Sequence, residues 1–208
     1  EEILEKWRMH GEQAARQGIW MHWTFEAYLN RTVVNAKTPE FQLFVNFLRT
    51  LHGLTAFRTE WAIYAEEENI AGSIDFVAKN REGELCIFDW KRTKLLSTKY
   101  INKRWTGEVV MMKPPLEALS DCAGQHYRLQ LNIYKWILER YYAVQVAKMV
   151  VVCMHPDNGD APYVDYVPII SQVSELMAIL RSRAREVREM SQEDLLTMDP
   201  LGGSDPNT

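Results

Sequence analysis

The sequence predicts an α/β fold in which a mixed central β-sheet is flanked by helices. Three observations point there. Short runs rich in Ile, Val, Phe, Tyr and Trp alternate with longer amphipathic runs of helical period. Two of the short runs, Ile70 to Ala78 and Glu84 to Lys91, flank Asn80-Arg81-Glu82-Gly83, which is turn chemistry. At 208 residues and 47% hydrophobic content the chain is large enough for one sizeable core. A single domain over residues 1–195 is expected, with a disordered tail over residues 196–208 that ends in Gly202-Gly203-Ser204-Asp205-Pro206.

Taken in order, residues 1–17 are charged and rich in Ala, Glu and Arg, which predicts an exposed helix. Gly18 separates it from a second helix, Ile19 to Leu29, where His22, Glu26 and Leu29 share a face. A third helix is capped by Thr38, carries Pro39 in its first turn and stops at Gly53, with Phe41, Phe44, Phe47, Leu48 and Leu51 inward. Phe57 to Tyr64 reads as a strand, followed by the acidic turn Glu66-Glu67-Glu68 and the hairpin. Arg92 to about Gly124 is irregular and contains Pro114-Pro115. After it come a helix over Gln125 to Tyr142, strands over Lys148 to His155 and Tyr163 to Ile169, and an amphipathic helix over Val173 to Met190.

The hairpin carries charge where its pattern is otherwise apolar. With Gly83 in the left-handed position of a three-residue loop, Asn80 faces Glu84, Val77 faces Ile87, and Asp75 faces Asp89. The same register sets Phe76 opposite Phe88 and Ile74 opposite Trp90 on the other face, so both faces look buried. Lys91 lies two residues past Asp89, on its face. Opposed carboxylates repel, and burying one without compensation is costly. A divalent cation between them removes both objections, since hard Mg²⁺ or Mn²⁺ prefers oxygen ligands. The plainer alternative is one Asp turned to solvent or paired with Lys91.

Net charge is −4, which by itself does not indicate a nucleic-acid binder, but the distribution is uneven. Between Lys91 and Gly107 stand Lys91, Arg92, Lys94, Lys99, Lys103 and Arg104 with no acidic residue, interleaved with Tyr100 and Trp105. Such a run beside a metal site suits phosphates and stacked bases; a solvated loop is the bland alternative. Cys86, Cys122 and Cys153 are widely spaced, which argues against a disulfide framework and against a zinc or iron–sulfur site. A reducing intracellular compartment (cytoplasm, nucleus or mitochondrial matrix) is the expectation. No apolar run approaches the ~20 residues needed to cross a bilayer, and no signal-peptide pattern opens the chain.

These features resemble the PD-(D/E)XK nuclease superfamily, in particular its RecB-like branch. Gly18-Ile19-Trp20-Met21-His22 resembles the branch's GxxxH segment, and Glu60 the acidic residue of its first core block. Gly72-Ser73-Ile74-Asp75 and Asp89-Trp90-Lys91 resemble its GxxD and (D/E)xK blocks, and Gln130 with Tyr134 its QxxxY helix. The blocks occur in the family's order between about Gly18 and Ile169. The signature is Asp-x-Lys rather than the commoner Glu-x-Lys. No four-cysteine iron–sulfur cage is present, so the chain resembles cluster-free members of the mitochondrial genome maintenance exonuclease type.

The resemblance implies a restriction-endonuclease-like core and a metal-dependent deoxyribonuclease, an exonuclease of DNA repair, recombination or replication. It implies one or two Mg²⁺ or Mn²⁺ ions held by His22, Asp75, Asp89 and the Trp90 carbonyl. Lys91 would orient or deprotonate the attacking water, with Glu60 either supporting the ligands from behind or binding an alternate metal, and Glu26 fixing the His22 tautomer. Gln130 and Tyr134 would turn toward the site to hold DNA or Lys91, and Arg92, Lys94, Lys99, Lys103 and Arg104 would meet phosphates. DNA, single-stranded DNA included, is the implied partner. An RNA endonuclease of the same superfamily and a catalytically silent nucleic-acid-binding module are the rival readings.

Overall fold

A computed structural model describes residues 2–101 and 107–197, the backbone alone at residue 2 and residues 191–197. The expected tail from residue 198 onward and the basic candidates Lys103 and Arg104 lie outside the described residues.

The first helix is one element rather than two. α1 spans Glu2–Leu29, running straight through Gly18, where even an added Cβ would meet nothing within 4 Å. A glycine in mid-helix costs about 1 kcal/mol against alanine, too little to stop a helix whose last turns are anchored by Met21 and Phe25 in the core. α2 (Pro39–Leu48) has the expected cap, with the Phe41 N–H donating to Thr38 Oγ1 at 3.3 Å. Three strands follow, β1 (Thr55–Ala65), β2 (Ile70–Lys79) and β3 (Leu85–Lys91); then α3 (Ala123–Tyr141), β4 (Val146–Cys153), β5 (Tyr163–Tyr166) and α4 (Val173–Thr197). Pro168, which has no N–H for a ladder, follows β5 and fits its early end.

The strands form one mixed sheet in the order β1-β2-β3-β4-β5. Only β3 and β4 are parallel, which requires the long connection that α3 supplies. Helices cover both faces. On one, Met21 and Phe25 of α1 and Leu43, Phe44 and Phe47 of α2 pack on Phe76, Phe88, Trp90, Val150 and Val152. The Phe25 and Phe44 rings stack at 4.0 Å, and Trp90 meets both edge-on at 6.0 and 5.7 Å. On the other face Leu131, Ile137 and Leu138 of α3 and Val173 and Met177 of α4 cover Ile63, Ile74, Val77, Ile87 and Val151. Among the described residues no helix is long and apolar enough to cross a membrane.

The connection from Arg92 to Cys122 is irregular but tied down. Leu96 and Leu116 are buried, bridges join Ile101 to Val109 and Met111 to Ser120, and Ser97 accepts at the start of α3. There the Gly124 N–H donates to Ser97 Oγ at 3.1 Å, and a Cβ on Gly124 would lie 2.0 Å from the Ser97 carbonyl oxygen.

Candidate functional site

The hairpin has the expected register from its turn to the row of Phe76 and Phe88: Lys79 pairs Leu85, Ala78 pairs Cys86, and Val77 pairs Ile87. Gly83 is left-handed at φ 85°. Beyond Phe76 and Phe88 the ladder ends. The next row in the same register would hold Asp75 and Asp89, and here β2 leaves β3. The Trp90 N–H, which a paired strand would have satisfied with a carbonyl, donates instead to Asp75 Oδ2 at 2.7 Å. A buried carboxylate accepting a main-chain proton is a charge-assisted bond, and it holds the fork in shape.

β2 also changes face at this row. Gly72 lies against the Tyr134 ring of α3 and Ile74 sits in the aliphatic core, whereas Phe76 and Ala78 sit in the aromatic core under α1 and α2. Same-parity residues should share a face, so the alternation is broken at Asp75. This corrects the expected placement of Ile74 beside Trp90: the two lie on opposite faces. β1 switches in step. Thr59 bonds Asn30 at the end of α1 while Trp61 packs on the aliphatic core, and Glu60 between them is left-handed at φ 43°. In the β1–β2 register Glu60 occupies the row of Asp75, between the pairs Thr59–Phe76 and Trp61–Ile74. Glu60 and Asp75 therefore share a row of the β1–β2 ladder, while Asp89 stands across the fork on β3, beyond the last paired row of β2 and β3. A left-handed glutamate costs about 1–2 kcal/mol, and the outlier marks the place where the side chain is re-aimed.

α1 completes the group. His22 Nδ1 lies 3.5 Å from Asp75 Oδ1 and 3.9 Å from Glu60 Oε1, and Ser73 Oγ donates to Glu60 Oε2 at 3.1 Å. The imidazole is thus oriented by β1 and β2; the expected partner Glu26 is not among its contacts. Burial works against the His22 imidazolium, but Asp75 and Glu60 outweigh it and lift its pKa to about 10. The His22 charge in turn holds Glu60 below the usual carboxylate range.

Across the fork, Asp89 is 3% exposed. Lys91 Nζ donates to its Oδ1 at 2.9 Å and lies 2.8 Å from Oδ2, which has charge contact but no proton aimed at it. Burial and the neighbouring Asp75 charge push the Asp89 pKa up. Burial works against the Lys91 ammonium, yet Asp89 more than compensates and raises its pKa. Lys91 thus serves as the donor to Asp89. The backbone of an extended residue carries its N–H and C=O to the same edge, so the Trp90 carbonyl faces the fork as its N–H does.

α3 presses on the site from the aliphatic face. A Cβ at Gly72 would lie 2.4 Å from Tyr134 Cε1, so the glycine of one motif is required by the tyrosine of another. Gln130 Nε2 donates to Tyr134 Oη at 2.8 Å, which pairs these two with each other rather than with Lys91. Lys91 instead lies 4.6 Å above the ring centroid of Tyr127. Tyr127 was not singled out from the sequence, although its spacing of three and seven residues from Gln130 and Tyr134 puts it on their face. Ser73 and Glu40 were missed too, and nothing local marks them.

The basic candidates fare unevenly. Arg92 Nε donates to the buried Glu40 at 2.9 Å, so its guanidinium is committed to α2. Lys94 is exposed and 3.8 Å from Asp157, and Lys99 is exposed.

The residues present fit a hard divalent ion. Donor atoms of His22, Glu60 and Asp75 all lie within 4.8 Å of one another. Two ligands at about 2.1 Å from one Mg²⁺ stand at most about 4.2 Å apart, and the 3.5 and 3.9 Å separations at His22 meet that limit. Asp89, expected among the ligands, lies outside this group and is paired with Lys91 instead.

No family model and no curated protein matches the chain. Among solved structures, one described as "Crystal structure of SSO0001" is similar at 15% identity with a TM-score of 0.34. The alignment covers 71% of this chain and 57% of that one, so the chain spans little more than half the length of its structural neighbour.

Proposed function

We propose that this chain is a divalent-metal-dependent nuclease with a restriction-endonuclease-like core, hydrolysing phosphodiester bonds of DNA. One observation carries the reading: Glu60 and Asp75 stand in one row at a fork in the sheet and gather with His22 of α1, with the Asp89–Lys91 pair across the fork. A structural role would not need three carboxylates on adjacent strands, which repel one another, nor a left-handed glutamate among them.

His22, Glu60, Asp75 and Asp89, with the Trp90 carbonyl, would hold Mg²⁺ or Mn²⁺, which when bound supplies a water acidic enough to attack near neutral pH and relieves charge on the phosphate. The imidazole nitrogen tilts the donor set toward Mn²⁺. Lys91, held over Tyr127 and by Asp89, orients the attacking water and steadies negative charge as it develops on the phosphate oxygens. Tyr134 and Gln130 fix β2 against α3 and so keep Asp75 in place. The family resemblance extends the reading to an exonuclease of repair, recombination or replication.

The test is cleavage of end-labelled linear and of circular DNA, single- and double-stranded, with matching RNA, in Mg²⁺ and Mn²⁺. Metal-dependent cleavage of DNA that disappears in Lys91→Ala is expected, with circles spared. A folded protein that cleaves none of these overturns the proposal, and cleavage of RNA alone replaces it with a ribonuclease.

A further inference from the structure

We propose that the projecting half of α1 is a dimerisation surface, on which α1 of a second copy of this chain lies antiparallel. The inference does not depend on the nuclease reading.

α1 reaches well beyond the core that holds its end. Met21 and Phe25 are buried in the aromatic core, whereas every residue from Ile3 to Trp20 is exposed or half-buried. The exposed stretch is nevertheless amphipathic. Leu4, Trp7, Gly11, Ala14 and Gly18 follow one another at alternating steps of three and four residues, and Met21 and Phe25 continue the same steps into the core. That spacing is the heptad seam of a paired helix. It makes one apolar stripe, buried by this chain at its C-terminal end and open over the preceding ~22 Å. Ile3, Leu4 and Trp7, at the outer end of the stripe, are 65%, 66% and 68% exposed. Large apolar side chains grouped in this way on one helix face mark an interaction surface.

The order of sizes along the stripe selects the occupant. The large side chains Ile3, Leu4 and Trp7 stand at one end and the small residues Gly11, Ala14, Ala15 and Gly18 toward the other. A two-fold axis across the helix near Gly11 lays the large residues of each copy over the small ones of its mate, the self-complementarity that an isologous interface requires. A parallel pair would set Trp7 against Trp7 and leave Gly18 facing Gly18. The room exists, since a Cβ added at Gly11 or at Gly18 meets nothing within 4 Å. Each mid-helix glycine costs about 1 kcal/mol against alanine, and neither marks a turn or an end of α1. Close approach of a second backbone gives both a purpose.

Charge agrees with this occupant. Between Glu2 and Gly18 the acidic Glu2, Glu5 and Glu12 are matched by Lys6, Arg8 and Arg16, so the stretch gives a polyanion or a strongly charged protein no purchase. All six lie off the seam, where Arg8 pairs with Glu5 at 2.5 Å and with Glu12 at 2.6 Å. Two such faces together would remove on the order of 1,000 Å² from solvent, the lower end for a specific interface. A reversible dimer of micromolar affinity is the expectation.

The test is sedimentation velocity of the full chain over a concentration series. Wild type should pass reversibly from monomer to dimer, and Trp7→Ala should weaken the dimer about tenfold or more. Gly11→Leu separates pairing from folding: it raises helix propensity and meets nothing in the monomer, so the melting temperature should not fall, yet the dimer should be lost. Trp23→Ala, an exposed indole of α1 off the seam, should change nothing. Orientation is read by oxidative crosslinking, the native cysteines being buried. Gly11→Cys, beside the two-fold axis, should form an intermolecular disulfide and Leu4→Cys should not. A wild type that stays monomeric, a dimer indifferent to both Trp7→Ala and Gly11→Leu, or ready crosslinking through Leu4→Cys overturns the proposal. Cleavage of DNA by wild type, present or absent, bears on the nuclease reading alone.

Discussion

The two halves of the β2–β3 hairpin are built from the same two strands and behave oppositely. From the turn to Phe76 and Phe88 the strands pair without interruption, and every side chain between Phe76 and Ala78 or Leu85 and Phe88 is buried and apolar. One row further the side chains are Asp75 and Asp89, and the pairing stops. Cross-strand attraction in the first half is apolar contact and costs nothing electrostatically. In the second half the same register would press two carboxylates together, so the backbone separates and one carboxylate takes over the lost main-chain bond. The candidate site is the gap that results, and its donors come from both faces: His22 through α1, Lys91 and Asp89 toward α3.

That contrast can be broken experimentally. The largest effect is expected at Asp75, which has a structural task and a chemical one. Asn at this position still accepts the Trp90 N–H but no longer supplies a full charge, so Asp75→Asn should melt within a few degrees of wild type. Its metal-dependent cleavage should fall at least about a hundredfold. Asp75→Ala should in addition lose about 1–3 kcal/mol of stability, because the Trp90 N–H is left buried without an acceptor. Equal stability of the two variants in urea denaturation would show that the fork does not depend on this bond.

Gly72 comes next. Gly72→Ala should cost about 1–3 kcal/mol by driving its Cβ into the Tyr134 ring, and the cost should shrink sharply in a Tyr134→Ala background. A double-mutant cycle with no coupling would separate the two motifs. Smaller still is Tyr127. Tyr127→Leu should lower kcat a few-fold, on the order of 1 kcal/mol, while leaving KM alone, and Tyr127→Phe should restore it. The smallest effect on stability is expected at Glu60, where Glu60→Asn tolerates the left-handed backbone and should leave metal-free stability within about 0.5 kcal/mol of wild type. The same variant should bind metal more weakly, a loss read by calorimetry.

Much of this was legible in the sequence for identifiable reasons. The turn residues Asn80 to Gly83 fix the hairpin register, and Thr38 with Pro39 fixes the start of α2, because both are local chemistry. The site residues were reachable because their types are uncomfortable in apolar strands. What could not be read is non-local. The face switch at Asp75 depends on β1 switching with it at Glu60, on a neighbouring strand that alternation alone treats as independent. The commitment of Arg92 to Glu40 joins a residue just past β3 to α2, a pairing that the sequence run does not reveal. Gly18 does not break α1, because the turns beyond it are anchored by Met21 and Phe25 in the core, which residue-by-residue propensity does not include.

The central claim is that the row at the fork binds a divalent ion. Calorimetric titration of Mn²⁺ into wild type and Asp75→Asn tests it most directly. The account predicts saturable binding of one or two ions by wild type and its loss in an Asp75→Asn protein of unchanged melting temperature. Equal binding by both proteins, or none by wild type, would contradict it.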